Sequence, residues 1–289
     1  MSIRGRIQMA AAFFRPIFSG LTAGLLAASA FAVVPIAAAR AAGALSVEPL
    51  FLEVAPLRAT TIRVVNNSER TTTVEMTIEE RLVDENGVQT RVPADDEFIV
   101  LPPQAAIESG QIQGLRVQPL FADLGKSRSF YATVRQLPVN LEPGEGTGAK
   151  IQVVFAFDVA LHVVPRGAEA KYELRSATLT RVTAPETVVD RQLVTSETGQ
   201  KMVDLQGVAV ELANPGNKYL YVQDLEYSAT GMTADGKAVD IPRWSSIEVI
   251  DAAKIVLIPP ASTRKFVLPL RNVPELASVS LRVRRPAKQ

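Results

Sequence analysis

The chain has 289 residues, no cysteine and 47% hydrophobic residues, enough for about two domains with proper cores. Lacking cysteine, it has no disulfide framework, thiol chemistry or cysteine metal site, and its stability must come from core burial. A formal net charge of +1 gives it no electrostatic reason to seek nucleic acid or an anionic bilayer.

Arg4, Arg6 and Arg15 precede the apolar run "IFSGLTAGLLAASAFAVVPIAAA", which ends in small residues before "RAAGA". A basic start, an apolar centre and small residues at a cleavage point predict a signal peptide over residues 1–42, cut between Ala39 and Ala42. An uncleaved anchor is the alternative, because residues 17–34 are long enough to cross a bilayer. The alanines, Pro35 and the tripeptide Ala39-Arg40-Ala41 favour removal, and with it no stable membrane insertion. The segment takes four arginines and no acids with it, leaving a mildly acidic body.

From Ala44 onward the signals are for strands. "TTIRVVNNS" is a β-branched run stopped by a polar turn, and "TTVEMTIEERLV" alternates at Val74, Met76 and Ile78. Asn86-Gly87 then marks a hairpin, and "EFIVLPP", "QGLRVQP" and "SFYATVRQLPV" follow at spacings of about ten residues. The polar segment "PRGAEAKYELR" is the best boundary. Strand signals resume with "YELRSATLTRV", "MVDLQGVAVELANPG", "KYLYVQDLEYSAT", a turn at Asp235-Gly236, "AKIVLIPP", "TRKFVLPL" and "SVSLRVRR". The expected fold is all-β: two immunoglobulin-like β-sandwiches in series, over residues 44–165 and 168–289.

One run is longer than a small sandwich needs. In "KIQVVFAFDVALHVVP", Ile151, Val153, Phe155, Phe157, Val159, Leu161 and Val163 make one apolar set, while the intervening positions are mixed. Alternate side chains point to opposite faces, so this reads as a single strand with one greasy face. About thirteen residues would span roughly 43 Å, against about five or six in a typical strand. Such a strand has part of its face to offer elsewhere.

Catalytic patterns are missing. A single histidine and no "GxSxG" exclude the usual serine triads unless His162 serves one. "GEGTG" lacks the Lys-Ser/Thr end of a phosphate loop and reads as a hairpin loop. Glu79-Glu80 and Asp95-Asp96 point to opposite sides if on a strand, and so make poor acid–base pairs. The expectation is a non-enzyme with no cofactor and no metal.

Several segments resemble periplasmic pilus-assembly chaperones, the PapD-like family. "FIVLPPQAAIESGQIQGLRV" matches that family's strand, double proline, loop and apolar-Arg-apolar return, and "FYATVRQLP" matches its next strand. The long alternating strand occupies the place of the family's G1 strand, with Pro165 closing it. "VAVELANPGNKYLYVQDL" and "LIPPASTRKFVLP" resemble segments of its second domain. The resemblance spans residue 46 to the C-terminus and is carried by the order and spacing of these motifs.

This resemblance implies a periplasmic chaperone that lends its G1 strand to pilus or fimbrial subunits and delivers them to an outer-membrane usher. Ile151, Val153, Phe155 and Phe157 would enter the subunit groove; Val159, Leu161 and Val163 would stay in the chaperone's own core. A bare edge is an aggregation liability, so self-capping homodimers are expected in the free state. The rival reading is an exported two-domain β-sandwich with structural or adhesive work at the cell surface. The family also grips the subunit's terminal carboxylate with an Arg and a Lys, and those positions fall on Leu52 and Ala160, neither of them basic. Arg58, Arg63 and His162 lie nearby in sequence, although Arg63 alternates with Ile62 and Val64 and so reads as solvent-facing, and the lone His162 reads as a satisfied structural residue.

Overall fold

The computed structural model describes residues 45–138, 153–186 and 201–286. The expected signal peptide and Ile151 lie outside them. The first half contains β1 (Leu45–Glu48), β2 (Phe51–Val54), β3 (Thr60–Asn66), β4 (Thr72–Val83), β5 (Gln89–Pro93), β6 (Phe98–Leu101), β7 (Gln104–Ile107), β8 (Ile112–Pro119), β9 (Arg128–Gln136) and β10 (Ala156–Val163). Alternation decides which face each strand buries. Along β4, Val74, Met76 and Ile78 are buried while their neighbours are half-exposed.

These strands form two facing sheets. One runs β1-β3-β8-β6; the other runs β2-β10-β9-β4-β5, with β7 also paired to β4. Ile62, Val64, Leu115 and Val117 from the first sheet meet Val74, Ile78, Phe130, Val134, Val159, Leu161 and Val163 from the second, all essentially inaccessible. Burying each such side chain contributes roughly 1.5–3 kcal/mol, so this layer is what holds the sandwich shut.

The second half contains β11 (Glu173–Pro185), β12 (Met202–Asn214), β13 (Leu220–Tyr221), β14 (Glu226–Met232), β15 (Ala238–Ile241), α1 (Ser246–Ala253), β16 (Leu257–Ile258), β17 (Ser262–Pro269) and β18 (Ser278–Arg284). Sheets β11-β12-β17 and β15-β14-β18 enclose a second core built on Val208, Leu212, Tyr227, Leu268 and Val249. Among the described residues the fold is therefore all-β apart from α1 and two short 3-10 turns. The helix departs from the expected run of strands. Its signal is the capping box, in which Ser245 Oγ accepts from Glu248 N and Glu248 accepts from Ser245 N.

The long alternating run also differs from expectation. Strand β10 occupies only Ala156–Val163. Its partner β9 ends at Gln136, and a strand is defined only where a neighbour supplies its hydrogen bonds.

Candidate functional site

Strand β10 has unequal neighbours. Along its whole length it pairs antiparallel with β9, from Ala156↔Arg135 to Val163↔Arg128. On the other side it pairs in parallel with the four residues of β2, and only from Ala160 to Val163. The Gln136 amide donates to the Phe155 carbonyl at 2.8 Å, so the odd-numbered residues of this run form the hydrogen-bonded pairs with β9. The even-numbered residues turn their backbone groups the other way. The amides of Ala160 and Val164 accordingly donate to Leu50 and Val54 at 2.9 and 2.8 Å. Ala156 and Asp158 turn theirs to the same side, where no described strand meets them.

The apolar row continues along this open edge. Val159, Leu161 and Val163 are in the core, and Phe157 packs against it half-buried. Phe155 is half-buried and stacks on Phe157, ring centroids 6.5 Å apart. Val153 is 62% exposed. From Val163 back to Val153 the odd-numbered side chains thus grade from core to surface. An exposed apolar row beside unpaired backbone groups is the chemistry of strand addition.

Where the edge ends, the two sandwiches meet. His162, wholly buried on the opposite face of β10, has both ring nitrogens engaged: Ser129 Oγ lies 2.8 Å from Nδ1 and Tyr221 Oη lies 2.8 Å from Nε2. Its ring stacks on Tyr219 with centroids 3.9 Å apart. Burial first, then the nearby charge of Arg81, pushes the imidazole pKa down to about 3, so the ring is neutral at physiological pH. Tyr221 is pushed up to about 12, again mainly by burial.

Beside the histidine, Lys218 pairs with Glu53 at 2.7 Å and Tyr219 donates its hydroxyl proton to the same carboxylate. Burial alone would raise the Glu53 carboxyl, but these hydrogen bonds hold it below its ordinary value. Phe51, Glu53, Lys218, Tyr219, Tyr221 and Arg285 line a cleft of about 810 Å³ there. Leu52 packs half-buried against the first core, and Ala160 lies half-buried opposite Phe51 in register. Arg63 is exposed and meets Glu48 at 3.5 Å.

Residues 54–169 match the model of a family described as pili and flagellar-assembly chaperone, PapD N-terminal domain. The N-terminal sandwich is thus similar to the PapD N-terminal domain over most of its length. Among solved structures, the chain is similar to a chain from a chaperone–tip adhesin complex of CFA/I fimbriae biogenesis. The identity there is 8%, covering 84% of this chain and 99% of that one, with a TM-score of 0.48. It is similar to the class 5 fimbriae chaperone CfaA at 10% identity, covering 84% and 100%, with a TM-score of 0.47. It is also similar to a chain from the complex of Salmonella enterica SafA pilin with the SafB chaperone at 14% identity, covering 78% and 84%, with a TM-score of 0.45. No curated protein matches it in sequence.

The sequence reading brought Val153, Phe155 and Phe157 onto one row; in the fold Phe155 stacks on Phe157, while Val153 lies three residues before β10 begins. It missed Glu53, Lys218, Tyr219 and Tyr221. The aromatics were visible only as part of the strand "KYLYV"; their meeting with His162 is made by the docking of the two sandwiches. It also missed Arg81, on the same outward face as His162 in the neighbouring strand system. The guanidinium of Arg81 stands 5.0 Å from the Tyr131 ring centroid, and that of Arg91 stands 4.3 Å from it.

Proposed function

We propose that this protein is a periplasmic chaperone of pilus or fimbrial subunits, acting by donor-strand complementation and delivering its cargo to an outer-membrane usher. In this reading it works as two domains, residues 44–165 and 168–289, exported behind a removed signal peptide. The subunit is an incomplete sandwich, and β10 with the run before it supplies the missing strand. Ala156 and Asp158 provide main-chain hydrogen bonds, while Val153, Phe155 and Phe157, with Ile151, supply side chains to the groove. The observation that carries the reading is the open side of β10, where backbone groups with no strand partner among the described residues adjoin exposed apolar side chains. When no subunit is bound, the same edge favours self-capping between two copies.

Co-expression with an exported fimbrial subunit tests this reading. Wild-type protein should co-purify with the subunit, and Phe155→Asp should lose at least about tenfold of the captured material, because an ionised carboxylate cannot enter an apolar groove unpaired. The variant should melt within a few degrees of wild type, since Phe155 lies at the margin of the core. Undiminished capture by Phe155→Asp would remove the donor-strand mechanism. Unfolding of the isolated variant would assign Phe155 to the internal core instead.

A further inference from the structure

Strand β10 carries a single acid, and it stands on the open stretch. The outward row there reads Ala156, Asp158 and Ala160, opposite Arg135, Thr133 and Tyr131 of β9. The Asp158 carboxylate is fixed from the inboard side. Thr133 Oγ1 donates to its Oδ1 at 2.8 Å, and the Arg91 guanidinium meets Oδ2 at 2.5 Å and Oδ1 at 3.2 Å. Arg91 belongs to β5, at the far end of the sheet, and its guanidinium lies over the Tyr131 ring, 4.3 Å from the centroid. Burial alone would raise the Asp158 carboxyl, but these bonds hold it below its ordinary value, so it is ionised at neutral pH.

That charge is only partly compensated. Arg91 also meets Glu79 at 3.4 Å, so one guanidinium serves two carboxylates. Arg81, the other cation at the Tyr131 ring, belongs to a strand two places inboard of β10 and gives its Nε to Gln89 of β5. The Asp158 side chain remains 35% exposed, and the alanines two residues to either side leave room for a long neighbour.

A strand laid along the open side of β10 sets one of its residues beside Asp158 on the outward face, with Cβ atoms about 4.5–5.5 Å apart. It also takes water from the exposed part of the carboxylate. A guest residue with a positive charge and donors to offer replaces that water, whereas a guest carboxylate leaves two like charges side by side and poorly solvated. Apolar alternation cannot distinguish registers two residues apart, because both keep the same face inward. A charge at one position can: a cation moved from Asp158 to Ala156 loses the direct contact and comes into line with Arg135. We infer that Asp158 sets the register and specificity of the captured strand, favouring a lysine or arginine beside it and disfavouring an acid. The inference rests on the strand-capture reading for the existence of the guest.

Three labelled seven-residue peptides test it by fluorescence anisotropy, each with valine at alternate positions, threonine between, and lysine, glutamine or glutamate at the centre. Wild-type protein should bind the lysine peptide about fivefold more tightly than the glutamate peptide, with glutamine between them. The nearly isosteric Asp158→Asn should bring the three together, and Phe155→Asp should lose all of them, which ties binding to the edge. Arg91→Gln strips the carboxylate of its present cation and should widen the ratio; a ratio that narrows instead would assign the preference to Arg91 and overturn the inference. Equal binding of the three by wild type, or a lysine preference that survives in Asp158→Asn, also overturns it and leaves strand capture standing. No binding of any peptide to wild type counts against strand capture itself, and the inference falls with it.

Discussion

His162 is the chain's single histidine, which makes its titration separable from everything else. The folded ring has its pKa pushed down to about 3, against an ordinary value of 6.5 in the unfolded chain. Between those values the unfolded state holds a proton that the folded state does not. Stability therefore falls as pH drops from about 6.5 toward 3, by up to about 1.4 kcal/mol per unit. Glu53 and Asp158, both lowered in the fold, act in the same direction, but only from their ordinary values of 4.5 and 3.8 downward. Asp224, raised by its burial, acts in the opposite direction, so the part of the slope between pH 6.5 and 5 that belongs to the histidine is the part its substitution removes. Urea unfolding should show it in the wild type and lose it in His162→Gln; a slope unchanged by the substitution would mean that the ring protonates inside the fold. The histidine's rarity was evident from sequence, but its partners were not, because Tyr221 is 59 residues away and arrives with the second sandwich. Arg81 was hidden for a related reason. A charged residue in "TIEERLV" reads as solvated, and only the packing around Tyr131 and Tyr221 buries it.

At the scale of elements, period-two alternation was enough to find most strands, since each buries one face against a sheet across the core. It overreached where pairing stops, extending β10 past the end of β9. It failed at α1, whose Ile247, Val249 and Ile250 are β-branched and whose eight residues give the helical period little room. The β4–β5 hairpin was legible from Asn86-Gly87, but its second role was not. Its tip reaches the other sandwich, where the Glu85 carbonyl accepts from the Lys265 amide at 2.7 Å and from the buried Arg264 at 3.1 Å. Gly87 sits there with φ of +87°, and a Cβ on it would lie 2.3 Å from the Arg264 guanidinium. Gly87→Ala should therefore destabilise by about 1–3 kcal/mol in urea, more than an exposed turn glycine would. A cost below about 0.5 kcal/mol would show that the tip can move aside.

At the scale of the molecule, the sandwiches are joined by buried polar contacts. The Ser127 hydroxyl accepts from the Tyr219 amide at 2.8 Å, the Asn217 carbonyl accepts from the Ser127 amide at 2.9 Å, and Arg264 caps the hairpin from the far side. Breaking such contacts strands buried donors, at about 1–3 kcal/mol each. Calorimetry should show one cooperative transition, with calorimetric and van't Hoff enthalpies equal. Ser127→Ala combined with Glu53→Gln should split it into two, and two transitions already present in the wild type would mean that the halves melt independently. The junction has one more effect, through the carbonyl of Leu50. By claiming the amide of Ala160, it sets a fixed origin from which any borrowed segment must be counted. Under the proposed strand capture, two clients of identical composition, offset by a single position, would then present opposite faces to Phe155 and Phe157, so selection would act on phase and not on greasiness alone.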